Sequence, residues 1–565
     1  MTSVANSETT DWAQTAKPSD VAAETPSSTR LHRTLSDETD TDDFDHEFKR
    51  KGPKYARAYA EDQGNRNLGV HRKASKGRHG PWLNTAVLSL DGGGIRGLST
   101  LIVLRELMKC IADVEISTKP IAKKSSDSPL VNSEASIGDS KTTSNDLNDI
   151  SGFRPCHYFD YIAGTSTGGL IAIMLGRLRM DVQQTIDRYL EIAWKVYAQR
   201  RRKRVDVVKE ALLPKGRSRD LREKRLEYVV KGLEDVHRES DSRLTDKGRE
   251  EKTLFTSDVA RCRTIVLSLE WSEDKSSLVP FLFKSYDEEL ATLTHRRGNT
   301  TSEKPLKLHI AQVAMATSWG TSFREPLRVG KHQICGTGKV VSNPTLEVYN
   351  EITYLREEHR TSLRSNDAMS LFVSIGCGKG RAAPQHQLIP GAHHLSIKSS
   401  QSWTKVVAKL SEEVDRKMHE FARQSNNFRY HRFDVVSGLE NLNWKDCTSK
   451  KKEDKLVQEI EEITKKYLGN DKVQFALTEC AEMLVSWRRL RAQTSRWETF
   501  AFGSRYHCPL QEKDNCPYSS ASSPPFENRD DLYDHLRRYH GTPPADAAHH
   551  EEIKNLLERG RTNSD

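Results

Sequence analysis

The sequence has no apolar run approaching the roughly 18 residues that a membrane-spanning helix needs. It does not open on a secretory signal either, since residues from Met1 to Arg30 interleave Ser, Thr, Glu, Asp and Pro with no apolar stretch. Cysteine is sparse and odd in number, nine in 565 residues, scattered singly until the C-terminal end. A disulfide framework is therefore not expected, and a reducing, cytoplasmic compartment fits best, with at most peripheral contact to a membrane. Apolar residues are also scarce: they make up 35% of the chain, aromatics 7%, and the mean hydropathy is −0.71. So little apolar material implies that part of the chain is unfolded. The length still exceeds one ordinary core, so more than one unit is expected.

Residues 1–80 lack helical or strand periodicity and carry an acidic cluster (Asp37 to Glu47) followed by a basic one (Lys49 to Arg78). They read as a disordered tail. Order begins at Thr85 to Leu90, an apolar run of strand length that stops at Asp91-Gly92-Gly93-Gly94-Ile95-Arg96-Gly97 and continues as the helical pattern Leu101, Leu104, Leu107, Met108. A polar insertion at about 118–150 follows. The second unit repeats the order of strand, turn and helix: Phe159 to Ala163, then Gly164-Thr165-Ser166-Thr167-Gly168-Gly169, then Leu170 to Leu175. Further strands are expected at Thr264 to Glu270, Pro280 to Tyr286 and Leu371 to Ile375, with a helix at about Ile310 to Thr317. This alternation predicts a three-layer α/β domain with a largely parallel sheet over 81–400. A helical extension is expected at 401–500, a small segment at 501–545 and a C-terminal tail at 546–565. The basic run from Arg200 to Arg225 reads as a solvated face, or as a surface for anionic headgroups or nucleic acid.

Gly164 to Gly168 matches G-x-S-x-G, in which a nucleophilic serine sits on a sharp strand-to-helix turn and the flanking glycines relieve crowding. Ser166 is then an exposed nucleophile, the alternative being a tight packing turn. The helix that follows would aim its N–H groups at developing negative charge. Gly92 to Gly97 also spells G-x-G-x-x-G, a dinucleotide signature when an acidic residue ends the next strand. Here the helix runs into the polar insertion instead. The better reading is an oxyanion loop in which side-chain-free glycines expose N–H donors. Arg96 would brace that loop, meet an anionic headgroup, or simply lie at the surface.

These two glycine motifs with a polar insertion between them resemble the patatin-like phospholipases, especially the fungal type. Supporting likenesses are Phe283 to Asp287, Ala316-Thr317-Ser318, Ser342-Asn343-Pro344-Thr345 with Glu347 and Glu351, and Val373 to Gly376. The likeness spans about 84–380. It implies a lipid acyl hydrolase with a Ser–Asp dyad, needing neither a catalytic His nor calcium, acting at a phospholipid or membrane surface. By that likeness Ser166 attacks the ester carbonyl, Gly92, Gly93 and Gly94 hold the oxyanion, Arg96 and Gly97 complete the loop, and Gly164 and Gly168 form the elbow. One departure stands out. The family's base is an Asp six residues before an Asn-Asn-Pro, and here Ser342-Asn343-Pro344 places that position at Gly336. Between Arg328 and Thr345 there is no carboxylate, and His332 is the one titratable base of suitable pKa. Trp319 to Phe323 departs as well, standing where family members carry a proline and small residues.

Near the C-terminus, Cys508, Cys516, His535 and His540 offer ligands of the kind that tetrahedral zinc takes. Phe526, Leu532 and His535 keep the spacing of a small core. The pattern resembles the second half of a Cys2His2 zinc finger, the alternative being a polar tail with incidental Cys and His. A lone finger reads only about three base pairs, so sequence-specific DNA binding does not follow, and docking of a protein is at least as much to be expected. Three functions follow from the sequence: a hydrolase weakened by the missing Asp, an inactive lipid-binding or signalling scaffold, and, least supported, a nucleic-acid binder.

Overall fold

The computed structural model describes residues 81–118, 121–122, 124–128, 150–197, 254–257, 260–271, 278–286, 308–318, 327–336, 341–358, 370–378, 403–442, 449–510, 516–518, 525–526, 528–543 and 549–562. The expected tail at 1–80, most of the polar insertion, the basic run from Arg200 to Arg225 and Trp319 to Phe323 lie outside these residues.

Strand β1 (Ala86–Leu90) is buried along its whole length, as a near-continuous apolar run favours in a central parallel strand. It pairs in parallel with β2 (Tyr161–Thr165) on one side, and β2 pairs in parallel with β3 (Arg263–Trp271). Helix α1 (Gly97–Ser117) follows β1, while α2 (Thr167–Ala172) and then α3 (Val182–Tyr197) follow β2. Strand β4 (Leu278–Lys284) runs antiparallel to β3. After α4 (Ile310–Ser318) comes the hairpin β5 (Leu327–Val329) and β6 (His332–Cys335), and β6 returns antiparallel to β3. Helix α5 (Thr345–Glu358) leads to β7 (Leu371–Ile375), parallel to β1, and α6 (Trp403–Gln424) leads to β8 (Arg429–Phe433), parallel to β7. The stretch expected to be wholly helical beyond residue 400 thus also supplies a strand of the central sheet. Its buried apolar residues, Tyr430 and Phe433, lie three apart and face opposite cores, and the charged residues around them leave neither an apolar run nor an alternation in the sequence.

Both faces of the sheet are covered. One core joins Leu88 and Leu90 to α1, α2, α3 and the helices α7 (Lys450–Leu468), α8 (Asp471–Arg491) and α9 (Arg496–Phe502). The other packs Val87, Tyr161 and Phe372 against Val348 and Ile352 of α5 and Met418 of α6. Glu115 of α1, fully buried, ties α1 to α8: its carboxylate meets Arg488 Nε at 2.7 Å and Arg489 Nε at 2.8 Å.

The C-terminal segment builds its own small core from Tyr506, Leu532, Leu536, Ile553 and Leu557. Strand β9 (Arg505–Tyr506) precedes α10 (Arg529–His540), which Asn528 caps by accepting from the Asp531 N–H and which Gly541 ends in the left-handed region. The residues expected as a free tail do not trail away. They form α11 (His550–Arg559) and β10 (Arg561–Thr562), and β10 pairs antiparallel with β9. The amphipathic spacing of Ile553 and Leu557 on one helix face explains why they close this core.

Candidate active site

Parallel register gathers the site at one edge of the sheet. Leu90 pairs with both Gly164 and Ile375, and Ile375 pairs with Phe433, so Asp91, Ser166, Gly376 and Asp434 all emerge at the carboxyl ends of adjoining strands, where open α/β sheets place ligands. Ser166 has φ 53° and ψ −123°, a conformation costly for any residue with a side chain. The turn can be this sharp because its neighbours are glycine: a Cβ on Gly164 would lie 2.1 Å from Gly168 O, and one on Gly168 would lie 2.3 Å from Leu90 O. The Ser166 N–H is fixed by Thr317 Oγ1 of α4 at 2.8 Å.

The glycine loop lies directly against this elbow. A Cβ on Gly92 would stand 2.8 Å from Ser166 Cβ. The expected open row of N–H donors is not what the loop presents, however. Gly92 N–H donates to Ser342 O at 2.9 Å, and Gly93 and Gly94 N–H both donate to Thr167 Oγ1 at 3.1 Å. Backbone donors packed this closely need an acceptor, and the residue after the serine supplies one. Arg96 braces the loop, donating from Nε to Gly93 O at 3.2 Å and through another guanidinium N–H to Gly378 O at 2.8 Å. Gly97 opens α1 where a Cβ would come 2.7 Å from the Tyr189 hydroxyl.

Register also locates Gly336. Strand β4 occupies one side of β3 from Ile265 to Trp271, so β2 and β6 share the other side. There Thr165 pairs with Leu267 and Cys335 with Leu269, two positions apart, or about 7 Å along the strand. Ser166 and Gly336 therefore enter the same gap from opposite directions, both at the level of Ser268. His332 stands four residues back along β6, about 13 Å from Gly336, and its Nδ1 is engaged by Glu270 Oε1 at 2.6 Å. It is turned to that carboxylate rather than to Ser166.

Residues 88–318 match the family model described as patatin-like phospholipase. The match covers the strand, glycine loop, elbow and α4 described above, and it gives the central sheet with its flanking helices as a patatin domain. Over 130 residues, 23% of this chain, the sequence is 30% identical to "Phospholipase A I" of Arabidopsis thaliana, covering 7% of that protein. It is 28% identical over 113 residues to "Calcium-independent phospholipase A2-gamma" of Homo sapiens, 20% of this chain and 9% of that one. It is 30% identical over 119 residues to "Patatin-like protein 1" of Arabidopsis thaliana, covering 20% of each chain. The chain thus spans a fifth or less of the length of these relatives.

Beyond the matched segment, the patatin domain's glycine loop has a partner that sequence reading missed. Arg432 of β8 forks onto Asp91, with N–H to Oδ1 at 3.0 Å and to Oδ2 at 2.7 Å, and reaches Asp434 Oδ2 at 3.1 Å. Burial pushes the Asp91 carboxyl up to about 6 in spite of Arg432. With both oxygens held by the guanidinium, Asp91 is unavailable as a base for Ser166. Cys377, beside the loop, donates from Sγ to Gly92 O at 3.3 Å, and burial pushes its thiol up to about 12, so it is a neutral donor and not a second nucleophile. The signal in the sequence was one charged residue on an otherwise core-facing register of β8.

At the other end of the chain Cys508, Cys516, His535 and His540 come together. Their four ligand atoms lie within 4.8 Å of one another, with Cys508 Sγ 3.3 Å from His540 Nε2 and Cys516 Sγ 3.6 Å from His535 Nε2. A tetrahedral zinc site has ligand-to-ligand edges of about 3.3–3.8 Å from its bond lengths, so these two Cys–His pairs have the separation of ligands on such an ion, and the two thiols and two imidazoles are the donor types it takes. Both Cys and His535 are buried.

Proposed function

We propose that this chain is a serine lipid acyl hydrolase of the patatin-like type, cleaving acyl esters of phospholipid or lysophospholipid at a membrane surface, with turnover held low by the absence of a carboxylate at Gly336. The observation that carries this reading is Ser166 at positive φ with Gly92 packed against it, an arrangement that sets the proposed nucleophile beside the glycine loop. Ser166 Oγ attacks the ester carbonyl carbon, and the carbonyl oxygen displaces the Thr167 hydroxyl from the Gly93 and Gly94 N–H groups. The lysolipid or glycerol-based alcohol leaves with a proton, and water then releases the fatty acid from the acyl-serine. With glycine at 336, solvent is left to accept the Ser166 proton.

No helix among the described residues is long and apolar enough to cross a membrane; the reading places the chain in the cytoplasm, meeting lipid from the surface. A second reading, a lipid-binding scaffold without catalysis, is favoured by the internal pairing of all three loop N–H groups. A fluorophosphonate probe separates the two. The intact chain should be labelled, should release fatty acid from phosphatidylcholine vesicles slowly, and should lose both activities in Ser166→Ala. A chain that neither labels nor hydrolyses while still binding vesicles is the scaffold.

We further propose that Cys508, Cys516, His535 and His540 hold zinc as a structural ion. When bound, it would cross-link the loop carrying Cys508 and Cys516 to α10, whose core is otherwise too small to fold firmly. The segment is seated on its own chain, through Arg529 to Glu498 of α9 at 3.1 Å. This favours a role in protein contact over nucleic-acid reading.

A further inference from the structure

The buried charges of β8 are the least expected feature of the sheet. Arg432 sits some 340 residues downstream of Asp91 and outside the segment that matches the family, yet two sets of contacts lead from it to the glycine loop. The first is a closed ring. Arg432 holds Asp91 and Asp434, the Asp434 carboxylate accepts from Gly378 N–H at 2.7 Å, Gly378 O accepts from Arg96 at 2.8 Å, and Arg96 Nε returns to Gly93 O at 3.2 Å. The second runs through hydroxyls. Arg432 donates to Ser374 Oγ at 2.8 Å, Ser374 Oγ meets Thr345 Oγ1 at 2.9 Å, and the Thr345 N–H is held by Asn343 Oδ1 at 3.0 Å. That turn carries Ser342, whose carbonyl takes the Gly92 N–H.

We infer that Arg432 is a positioning residue for the acyl-transfer site: it fixes the glycine loop from both ends, so that the Gly93 and Gly94 N–H groups are held on the Thr167 hydroxyl, next in sequence to Ser166, where an oxyanion would displace it. The inference rests on the hydrolase reading for its consequence, though not for its geometry. The two aspartates and two arginines of the ring balance in charge, and Arg432 is central to it, its side chain only 9% exposed. A lysine would keep the charge but lose the fork that holds both Asp91 oxygens. If the cluster served stability alone, neutralising both partners would be tolerated, as it often is for buried ion pairs.

That contrast supplies the test, made on the full chain. Arg432→Met leaves Asp91 buried and unpaired, and its melting temperature should fall. The double variant Asp91→Asn with Arg432→Met removes both charges and should recover most of that loss. Two readouts are followed in each: the rate of fluorophosphonate labelling at Ser166, and hydrogen exchange at the Gly92 to Gly94 amides. The inference expects labelling to drop by about 10²-fold, the size of effect that a misplaced catalytic group produces. It expects both the slow labelling and faster loop exchange to persist in the double variant despite recovered stability. Arg432→Lys should likewise regain stability ahead of labelling. Return of labelling and exchange to wild-type values together with the melting temperature would overturn the inference, leaving Arg432 as a counter-ion only. If the wild-type chain is labelled no faster than Ser166→Ala, the hydrolase reading fails, and exchange alone then decides the clamp: a loosened loop in the double variant upholds it, and an unchanged loop overturns it.

Discussion

Under the proposed hydrolase reading, the side chain missing at Gly336 is the one that would activate Ser166. Gly336 enters the same gap in the β3 edge as Ser166, so a carboxylate there would lie within side-chain reach of the hydroxyl. Gly336→Asp should raise hydrolysis of phospholipid by about 10²- to 10⁴-fold, the contribution of a positioned general base. Fatty-acid release from vesicles measures it, and an unchanged rate in a folded variant would show that the gap no longer serves catalysis. Asp91 makes a second residue-scale prediction. Its carboxyl protonates near pH 6 in the folded chain, against 3.8 for the ordinary group, so between these values the folded state binds a proton that the unfolded state does not. Falling pH through that window therefore stabilises the fold through this group, and above about pH 6 the advantage is gone. The groups acting on it are Arg432, Asp434 and Arg96. Wild type should gain stability relative to Asp91→Asn as pH falls from 7 to 4 in urea unfolding. A relative loss would mean that Arg432 outweighs burial.

Among the elements, α1 and α8 depend on each other through charge as well as packing. Glu115 is fully buried and its carboxylate also accepts from the Tyr158 hydroxyl at 3.2 Å. Glu115→Ala would leave Arg488, itself buried, without its counter-ion, an error that costs about 3–5 kcal/mol. A fall of that size in unfolding free energy is the expected outcome, and a change under about 1 kcal/mol, the ordinary value of an exposed pair, would show that water compensates the arginines. The elements were legible where composition is uniform. Leu371 to Ile375 lies where its apolar run put it, and β3 is longer by one residue at each end than Thr264 to Glu270. The strand expected at Phe159 to Ala163 forms two residues later, at Tyr161–Thr165, because Pro155 to His157 open a short helical turn just before it.

At the scale of the molecule, the C-terminal segment should be separable from the patatin domain by metal. Chelation of the full chain should speed hydrogen exchange across 505–543 while β1, β2 and α2 keep their protection, because four ligands supply folding energy that so small a core lacks. Unchanged exchange in that segment would refute the zinc proposal. The seat of this segment on α9 is a feature of tertiary structure: Arg529 reaches both Glu498 and Glu558, residues whose spacing in the chain gives no hint that they meet.

Ser166, Gly92 to Gly94, Gly164 and Gly168 were legible from sequence alone because each lies within a short motif, where local backbone sterics limit which residue fits. A glycine whose Cβ would strike a carbonyl is written into the chain wherever the turn occurs. The α/β class was legible for a similar reason, since a strand buried on both faces reads as a near-continuous apolar run. Arg432, the engagement of His332 by Glu270, and the sharing of one β3 edge by β2 and β6 were not legible. Each depends on residues far apart in sequence that only sheet register brings together, and pairing order is decided by packing over the whole sheet rather than by any local pattern.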